Sequence, residues 1–400
     1  MPKQSRTAAV RTRYMADMAN RIYLDWNATT PLRPEAKAAM AHAWEIGGNP
    51  SSVHAEGREA RRLIEEARAA VASAVGADAS NVIFTSGGTE ANSLALTPGM
   101  RRGKGPAVER LLTSAIEHTS VLAGGRFTLE ATGTIGVTRA GIVDLDRLRM
   151  LLDGTPALVS IMLANNETGA IQPVAEAAEL VHGVGGLLHV DAIQALGRIP
   201  FDLVSTGADL LSLSAHKVGG PKGVGALVLA EGLEGLAPLL RGGGQEKGRR
   251  AGTEDVAGIA GFGAAAKSAL VGRGHEADRE QGLRMRLEAG LLATPGAVVF
   301  AVEAERLPNT VLFAIPGVRA ETAVIGFDLA GVAVSAGSAC SSGKVQPSHV
   351  VEAMGYGSDL SQGAVRLSLG WSTTETDVES ALQAWRKLAD SLLRVRRNTA

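Results

Sequence analysis

Short apolar runs separated by stretches of helical period fill the first two thirds of the chain, and no other feature restricts its fold as strongly. "NVIFTS", "ALVSIML", "GLLHVDA", "ADLLSLS" and "GVGALVLA" are apolar at successive rather than alternate positions, the pattern of strands covered on both faces. Between two of them "PVAEAAELVHGV" reads as a helix. Upstream, Leu63, Ile64, Ala67, Val71 and Val75 share one helical face, with Arg61, Arg62, Glu65 and Glu66 on the other, which predicts a surface helix ended by Gly76. Strand and helix in alternation imply an α/β fold around a mostly parallel sheet.

After about residue 255 the rhythm changes. "DVAGIAGFGAAAKSAL" and "EADREQGLRMRLEAGLL" predict two longer helices, and "AVVFAV", "NTVLFAI" and "AVRLSLG" predict strands of a second, α+β lobe. A final helix is expected from Thr374, with Val378, Ala381, Leu382, Trp385, Leu388 and Leu392 on one face. Hydrophobic residues make up 45% and aromatic residues only 4%, so aliphatic side chains must fill a large core.

A formal net charge of −1 gives no field to gather nucleic acid or an anionic membrane. No apolar run approaches the ~18 residues of a membrane span, and one cysteine cannot form a disulfide within the chain. The expectation is a soluble, cytoplasmic protein with a small-molecule partner. Residues 1–20, with Lys3, Arg6, Arg11 and Arg13 ahead of the first acid, lack the apolar face of a transit peptide. They are expected to be a disordered tail, or a stretch ahead of a true start at Met15 or Met18.

In an open α/β sheet the ligand crevice lies beyond the strand ends, where this sequence turns polar. "NVIFTS" is followed by Gly87, Gly88, Thr89 and Glu90 leading into a helix, a turn that presents N–H groups to an anion, though plain strand-to-helix turns look the same. Asp191 follows "GLLHV", with Gln194 three residues on, and His216 and Lys217 follow "ADLLSLS". A carboxylate and an amine ending two buried strands are costly without partners. Pyridoxal phosphate would supply them, since it needs a lysine for its Schiff base, an acid for its ring nitrogen and a phosphate cradle. Taken alone, Lys217 reads as a solvated lysine and His118 in "SAIEHTSV" as a capping histidine. Asn165, Asn166 and Glu167 in "LANNETG" suit a ring hydroxyl or substrate carboxylate, or an ordinary turn. "RGGGQEKGRRAGTED", residues 241–255, suits phosphate, a subunit contact or a loop. Arg366, between apolar residues in a strand, needs an anionic partner or an edge position.

The lone cysteine, Cys340, sits in "VSAGSACSSG" among Gly337, Ser338, Ser341, Ser342 and Gly343. A cysteine used as a small hydrophobe would have apolar neighbours at strand or helix spacing, so this thiol is not placed for packing.

Together, "YLDWNATTP", "NPSSVHAEG", "TSGGTEANSLAL", "EHTSV", "NNETGAIQP", "HVDAIQALG", "SLSAHKVGGPKGVGAL", "RAGTED", "SAGSACSSG" and "VRLSLG" resemble, in order, the motifs of the pyridoxal-phosphate-dependent cysteine desulfurases. The resemblance implies the transferase fold of aspartate-aminotransferase type. Residues 35–260 would form the large domain that binds pyridoxal 5'-phosphate, and residues 21–34 with 261–400 the small α+β domain carrying the cysteine loop. It implies the cofactor on Lys217, Asp191 at the pyridine nitrogen, His118 over the ring, Gln194 at the ring hydroxyl, and Asn166 at the hydroxyl or the substrate carboxylate. Gly88, Thr89, Ser214 and His216 would hold the phosphate, with Thr253 from a second subunit of a homodimer. Arg366 would bind the carboxylate of L-cysteine. Cys340, on a mobile loop, would take the sulfur as a persulfide, leaving L-alanine, and pass it to an iron–sulfur scaffold or another acceptor protein, with His118 or Lys217 moving protons. No resident metal is implied, only transient iron–sulfur ligation by Cys340.

The "SACSSGK" loop with "PSHVVEAMG" resembles the long-cysteine-loop branch that serves iron–sulfur assembly, including that for nitrogenase. Ala215 stands where many members have glycine, Trp371 where a basic residue is frequent, and Trp26 where a smaller or polar residue is usual. The rivals are a transaminase or β-lyase of the same fold with Cys340 incidental, a sulfur-relay subunit without turnover, and a Rossmann protein. The last lacks G-x-G-x-x-G after its first strand.

Overall fold

The computed structural model describes residues 21–337 and 346–399. The elements used below are β1 (Ile22–Tyr23), α1 (Pro34–Trp44), α2 (Ala55–Ala74), β2 (Val82–Thr85), α3 (Gly88–Ala95), β3 (Leu111–Ser114), α4 (Thr119–Leu122), β4 (Thr132–Ile135), β5 (Leu158–Met162), α5 (Val174–Gly183), β6 (Leu187–Asp191), β7 (Leu210–Ser214), β8 (Gly225–Leu229) and α6 (Val256–Leu292). They continue with β9 (Val298–Val299), β10 (Thr310–Ala314), β11 (Val332–Ala333), β12 (Ser335–Ala336), β13 (Val365–Ser368) and α7 (Glu375–Thr399).

Seven strands form the main sheet in the order β2-β8-β7-β6-β5-β3-β4. β8 is antiparallel to both its neighbours and the other pairings are parallel. Alternate residues of each strand serve the two faces. Phe84, Val159, Ile161, Val190 and Leu213 join one cluster with Ile64 and Val71 of α2 and Phe262 of α6. Ile83, Leu158, Leu187, Leu210 and Leu227 join the other with Ala91 and Leu94 of α3. Apolar residues at successive positions are therefore what a sheet with helices on both faces requires.

A smaller antiparallel sheet runs in the order β9-β10-β13-β12, while β1 pairs in parallel with β11. Its cluster holds Leu24, Phe313, Phe327, Leu367 and Trp385. Two expectations change here. The two helices predicted after residue 255 are one, α6, of 37 residues. Gly272 and Gly274 each cost about 1 kcal/mol relative to alanine, but with no proline to break it the helix runs on, docked by Phe262 on the main cluster and by Leu283, Leu287 and Leu291 on the second. The strand predicted at "AVVFAV" shrinks to Val298–Val299, because Ala301 adopts a left-handed φ of 57° that turns the chain away.

The segment 241–255 is pinned from within. Buried Glu246 accepts from Arg68 at 2.7 and 2.8 Å and from the Phe84 N–H at 3.0 Å. Glu246→Ala would leave the buried guanidinium with only the exposed Glu65 carboxylate and the Val82 carbonyl, and is expected to lower stability by about 3 kcal/mol, read as an earlier urea midpoint at unchanged slope.

Candidate active site

The ends of β5, β6 and β7 and the starts of α3 and α4 open onto one cavity of about 290 Å³. Asp191 ends β6 and Ser214 ends β7; a 3₁₀ turn, Ala215–Lys217, then carries His216 and Lys217 to the rim. Gly88 and Thr89 open α3, His118 caps α4, and Asn166 follows β5. The second sheet contributes Arg366 from β13, and the stretch after β1 contributes Asn27 and Ala28.

Lys217 Nζ donates to the carbonyls of Asn27 at 2.5 Å and Ala28 at 2.8 Å. Asp191 accepts from Asn92 Nδ2 at 2.9 Å and from the Ile193 N–H at 3.0 Å. Burial pushes its carboxyl above the usual range, against those two donors and the nearby His118 and Lys217. Asn92 also donates to Ser120 Oγ at 2.9 Å, and Ser120 sits 2.7 Å from His118 Nδ1, so a chain of hydrogen bonds joins the histidine to the aspartate. The Ser120 N–H donates to the same Nδ1, which leaves the proton of the neutral ring on Nε2. Burial and the neighbouring lysines push His216 down to about 4.

Among the described residues, two polar groups in this cavity lack an internal partner. Ser214 Oγ and Arg366 Nε are buried and unpaired, which is costly unless something else satisfies them. Beside Ser214, a Cβ on Gly88 would meet Ile193 Cδ1 at 2.3 Å and Ser214 Cβ at 3.4 Å. A side chain at that helix start would have to push Ile193 aside, whereas glycine leaves the space open in front of N–H groups suited to an anion. A buried acid, an amine, an orphaned hydroxyl at a helix N-terminus and an orphaned guanidinium nitrogen suit a phosphorylated, cationic ring and a carboxylate.

Of the sequence candidates, Gly88, Thr89, His118, Asn166, Asp191, Gln194, Ser214, His216, Lys217 and Arg366 come together. Thr253 is exposed and lies outside the cavity, and Cys340 lies outside the described residues. Asn165 is turned inward, its Oδ1 accepting from the N–H groups of Glu167 and Thr168. β13 lies between β10 and β12, so Arg366 is not on an edge. It pairs with Asp25 at 2.9 Å and donates to the Asn166 carbonyl at 2.9 Å.

Asp25, Asn27, Asn92 and Ser120 escaped the sequence reading. Asn27 takes the Gln194 amide on its carbonyl at 3.0 Å, and its Nδ2 donates to Thr310 at 2.9 Å and to the Asn166 carbonyl at 3.2 Å. "YLDWNATTP" carried these groups, but an Asp and an Asn near a proline read as turn residues. His189 also went unremarked. It is buried between Ser160 and Ser212 at 2.8 and 2.9 Å, and burial pushes it to about 3, so it stays neutral and bridges three strands.

Below the site, Glu117 is fully buried and accepts from the Met162 N–H at 2.8 Å. Burial, then Asp191, pushes its carboxyl well above 4.5. The folded protein thus keeps a proton that the unfolded chain sheds above that value, so this carboxyl costs stability as pH rises. Glu117→Gln keeps the acceptor and removes the cost. Its melting temperature is expected to gain on the parent's between pH 5 and pH 8, compared in paired thermal melts.

Comparison with known proteins shows the family. The family model for aminotransferase class-V matches residues 22–381, and the chain belongs to that family. Within it, a cysteine desulfurase of Cereibacter sphaeroides is 45% identical over 379 residues, which cover 93% of this chain and 96% of that protein. Among solved structures, a NifS-like protein from Rickettsia africae superposes with a TM-score of 0.84 at 35% identity, over 93% of this chain and all of that one. SspA in complex with cysteine superposes with a TM-score of 0.71 at 27% identity, over 88% of this chain and 99% of the other.

Proposed function

We infer that this chain is a cysteine desulfurase that converts L-cysteine to L-alanine and leaves the sulfur on Cys340 as a persulfide for iron–sulfur cluster assembly. The observation that carries the reading is the meeting of Lys217, Asp191 and Arg366 in one cavity with an orphaned Ser214 hydroxyl at the start of α3. In this role Lys217 would hold pyridoxal 5'-phosphate, Asp191 would serve its ring nitrogen, and His118 would serve its ring face. Gln194 would serve the ring hydroxyl, Asn166 the hydroxyl or the substrate carboxylate, and Gly88, Thr89, Ser214 and His216 would hold the phosphate. Bound there, the cofactor supplies the electron sink that makes loss of the substrate α-proton and cleavage of its C–S bond feasible.

The chain's own residues do the rest. Arg366, held by Asp25, orients the substrate carboxylate, and Asn166 lies beside it. Lys217, the residue that would hold the cofactor, would also be the group whose Nζ moves the proton to and from the α-carbon. The Cys340 thiolate attacks the substrate sulfur; the C–S bond breaks, an S–S bond forms, and alanine leaves once its β-carbon has been protonated, with no outside oxidant or reductant.

On the same reading, residues 35–260 are the cofactor-binding domain, and residues 21–34 with 261–400 the smaller one. Separate hydrophobic clusters support two units, one spanning Ala36 to Ala269, which carries Phe262 and Ala269 past that boundary, and the other joining Leu24 to Leu283 through Ala389. A homodimer would bring Thr253 of one subunit to the phosphate of the other, and its exposure leaves it available. Among the described residues no helix is long and apolar enough to cross a membrane, in keeping with a cytoplasmic enzyme that meets a protein acceptor. Alanine release from L-cysteine by the purified, cofactor-loaded protein tests the reading, and its absence would overturn it.

A further inference from the structure

The two tryptophans that depart from the family's pattern meet behind Lys217. Trp26 and Trp371 pack edge to face with ring centroids 4.6 Å apart, and the Arg33 guanidinium lies 4.1 Å above the Trp371 ring. The seating is tight. A Cβ on Gly370 would meet Trp26 Cε3 at 2.0 Å, and one on Gly219 would meet Arg33 Cγ at 2.5 Å and Trp371 Cη2 at 2.7 Å.

Each partner of Trp371 leads to a different end of Lys217. Trp26 is 2% exposed, and its Nε1 donates to the Tyr23 carbonyl at 2.9 Å. It directly precedes Asn27 and Ala28, whose carbonyls hold Lys217 Nζ. Arg33 donates through Nε to the Val218 carbonyl at 3.1 Å and through its backbone N–H to the Gly219 carbonyl at 2.9 Å. Its guanidinium is locked by Glu276 in a two-point ion pair at 2.9 and 2.7 Å. One group therefore fixes the backbone after the lysine, the other fixes the acceptors of its amine, and Trp371 touches both.

We propose that Trp371 is a positioning residue for Lys217, coupling Trp26 to Arg33 so that the amine stays seated on the Asn27 and Ala28 carbonyls. The proposal rests on the reading of Lys217 as the reactive lysine, but its geometry does not need the desulfurase assignment. An aromatic ring is required because edge-to-face packing and a guanidinium over a ring face both depend on the ring's charge distribution.

The test labels the full-length, cofactor-free protein with trace acetic anhydride and compares Lys217 with exposed Lys222 by peptide mass spectrometry. Only a free amine attacks the anhydride, and an ammonium whose N–H groups are held by two carbonyls gives up its proton reluctantly. In Trp371→Ala the ratio of Lys217 to Lys222 labelling is expected to rise about tenfold, the scale of one lost charged hydrogen bond. Trp371→Phe should stay near the parent. In the loaded enzyme the alanine variant should lose kcat with little change in KM for L-cysteine. An unchanged or lower labelling ratio overturns the proposal, as does a phenylalanine variant that behaves like alanine. If Trp371→Ala fails to fold, Trp371→Leu, which fills the space without a ring, is held to the same outcomes. If the parent releases no alanine, the functional reading fails while the labelling ratio still decides this one.

Discussion

Lys217→Ala is expected to lower alanine release from L-cysteine by about 10⁴-fold, the upper end of what a positioned proton-transfer group contributes. The size follows from the site. Among the described residues lining the cavity, Lys217 supplies the only amine, so no neighbour can take over its link to the cofactor, and a histidine could replace it at most in moving a proton. Its Nζ is held by the Asn27 and Ala28 carbonyls, and no water-borne amine would be oriented in that way. Lys217→Arg should fare no better despite keeping the charge, because a guanidinium is not deprotonated in a protein and cannot act as a base or form the covalent link. The check is an alanine assay alongside the yellow absorbance of the loaded protein, which both variants should lack. Turnover within tenfold of the parent in either variant would remove Lys217 from the chemistry.

Much of this site was legible because its residues follow strands that periodicity alone identifies. Asp191, Ser214 and Lys217 lie at or just past the ends of β6 and β7, and His118 caps α4 in the way its sequence position suggested. What the sequence hid was who holds whom. Arg366 was read as needing an anion, and the substrate was named for it, yet the fold supplies Asp25 from 341 positions away. Asn27 likewise gathers Gln194, Lys217, Thr310 and the Asn166 carbonyl. Nothing local marks an asparagine in a turn as the joint between two sheets, because partners so distant in sequence meet only through the topology. The single helix α6 was hidden for the opposite reason. Gly272 and Gly274, close together at its middle, are a local signal of a break, and tertiary docking at both ends overrides it. Trp26 and Trp371, noticed only as departures from a pattern, make sense together once they are seen in contact.

The remaining large effect separates desulfuration from its nearest rival. Cys340→Ala is expected to bind L-cysteine, seen as a change in the yellow absorbance, but to release alanine at least about 10³-fold more slowly, as loss of a covalent nucleophile does. The chain is well suited to the experiment. It has one cysteine, so a peptide that gains one sulfur atom after incubation with L-cysteine can carry it on a thiol only at position 340, and alkylation of the free thiol beforehand should abolish the gain. Cys340→Ser should behave like the alanine variant, since a hydroxyl at neutral pH is a poor nucleophile toward sulfur. A β-lyase or transaminase with the same Lys217 and Asp191 would need no thiol, because the cofactor alone can expel a β-substituent or exchange an amine. Such an enzyme would turn over equally with and without Cys340, and its products from L-cysteine would be keto acids rather than alanine. Equal alanine release by parent and variant would therefore refute the persulfide step, whereas a parent that yields alanine and a sulfur-bearing peptide, beside a variant that yields neither, assigns sulfur transfer to Cys340.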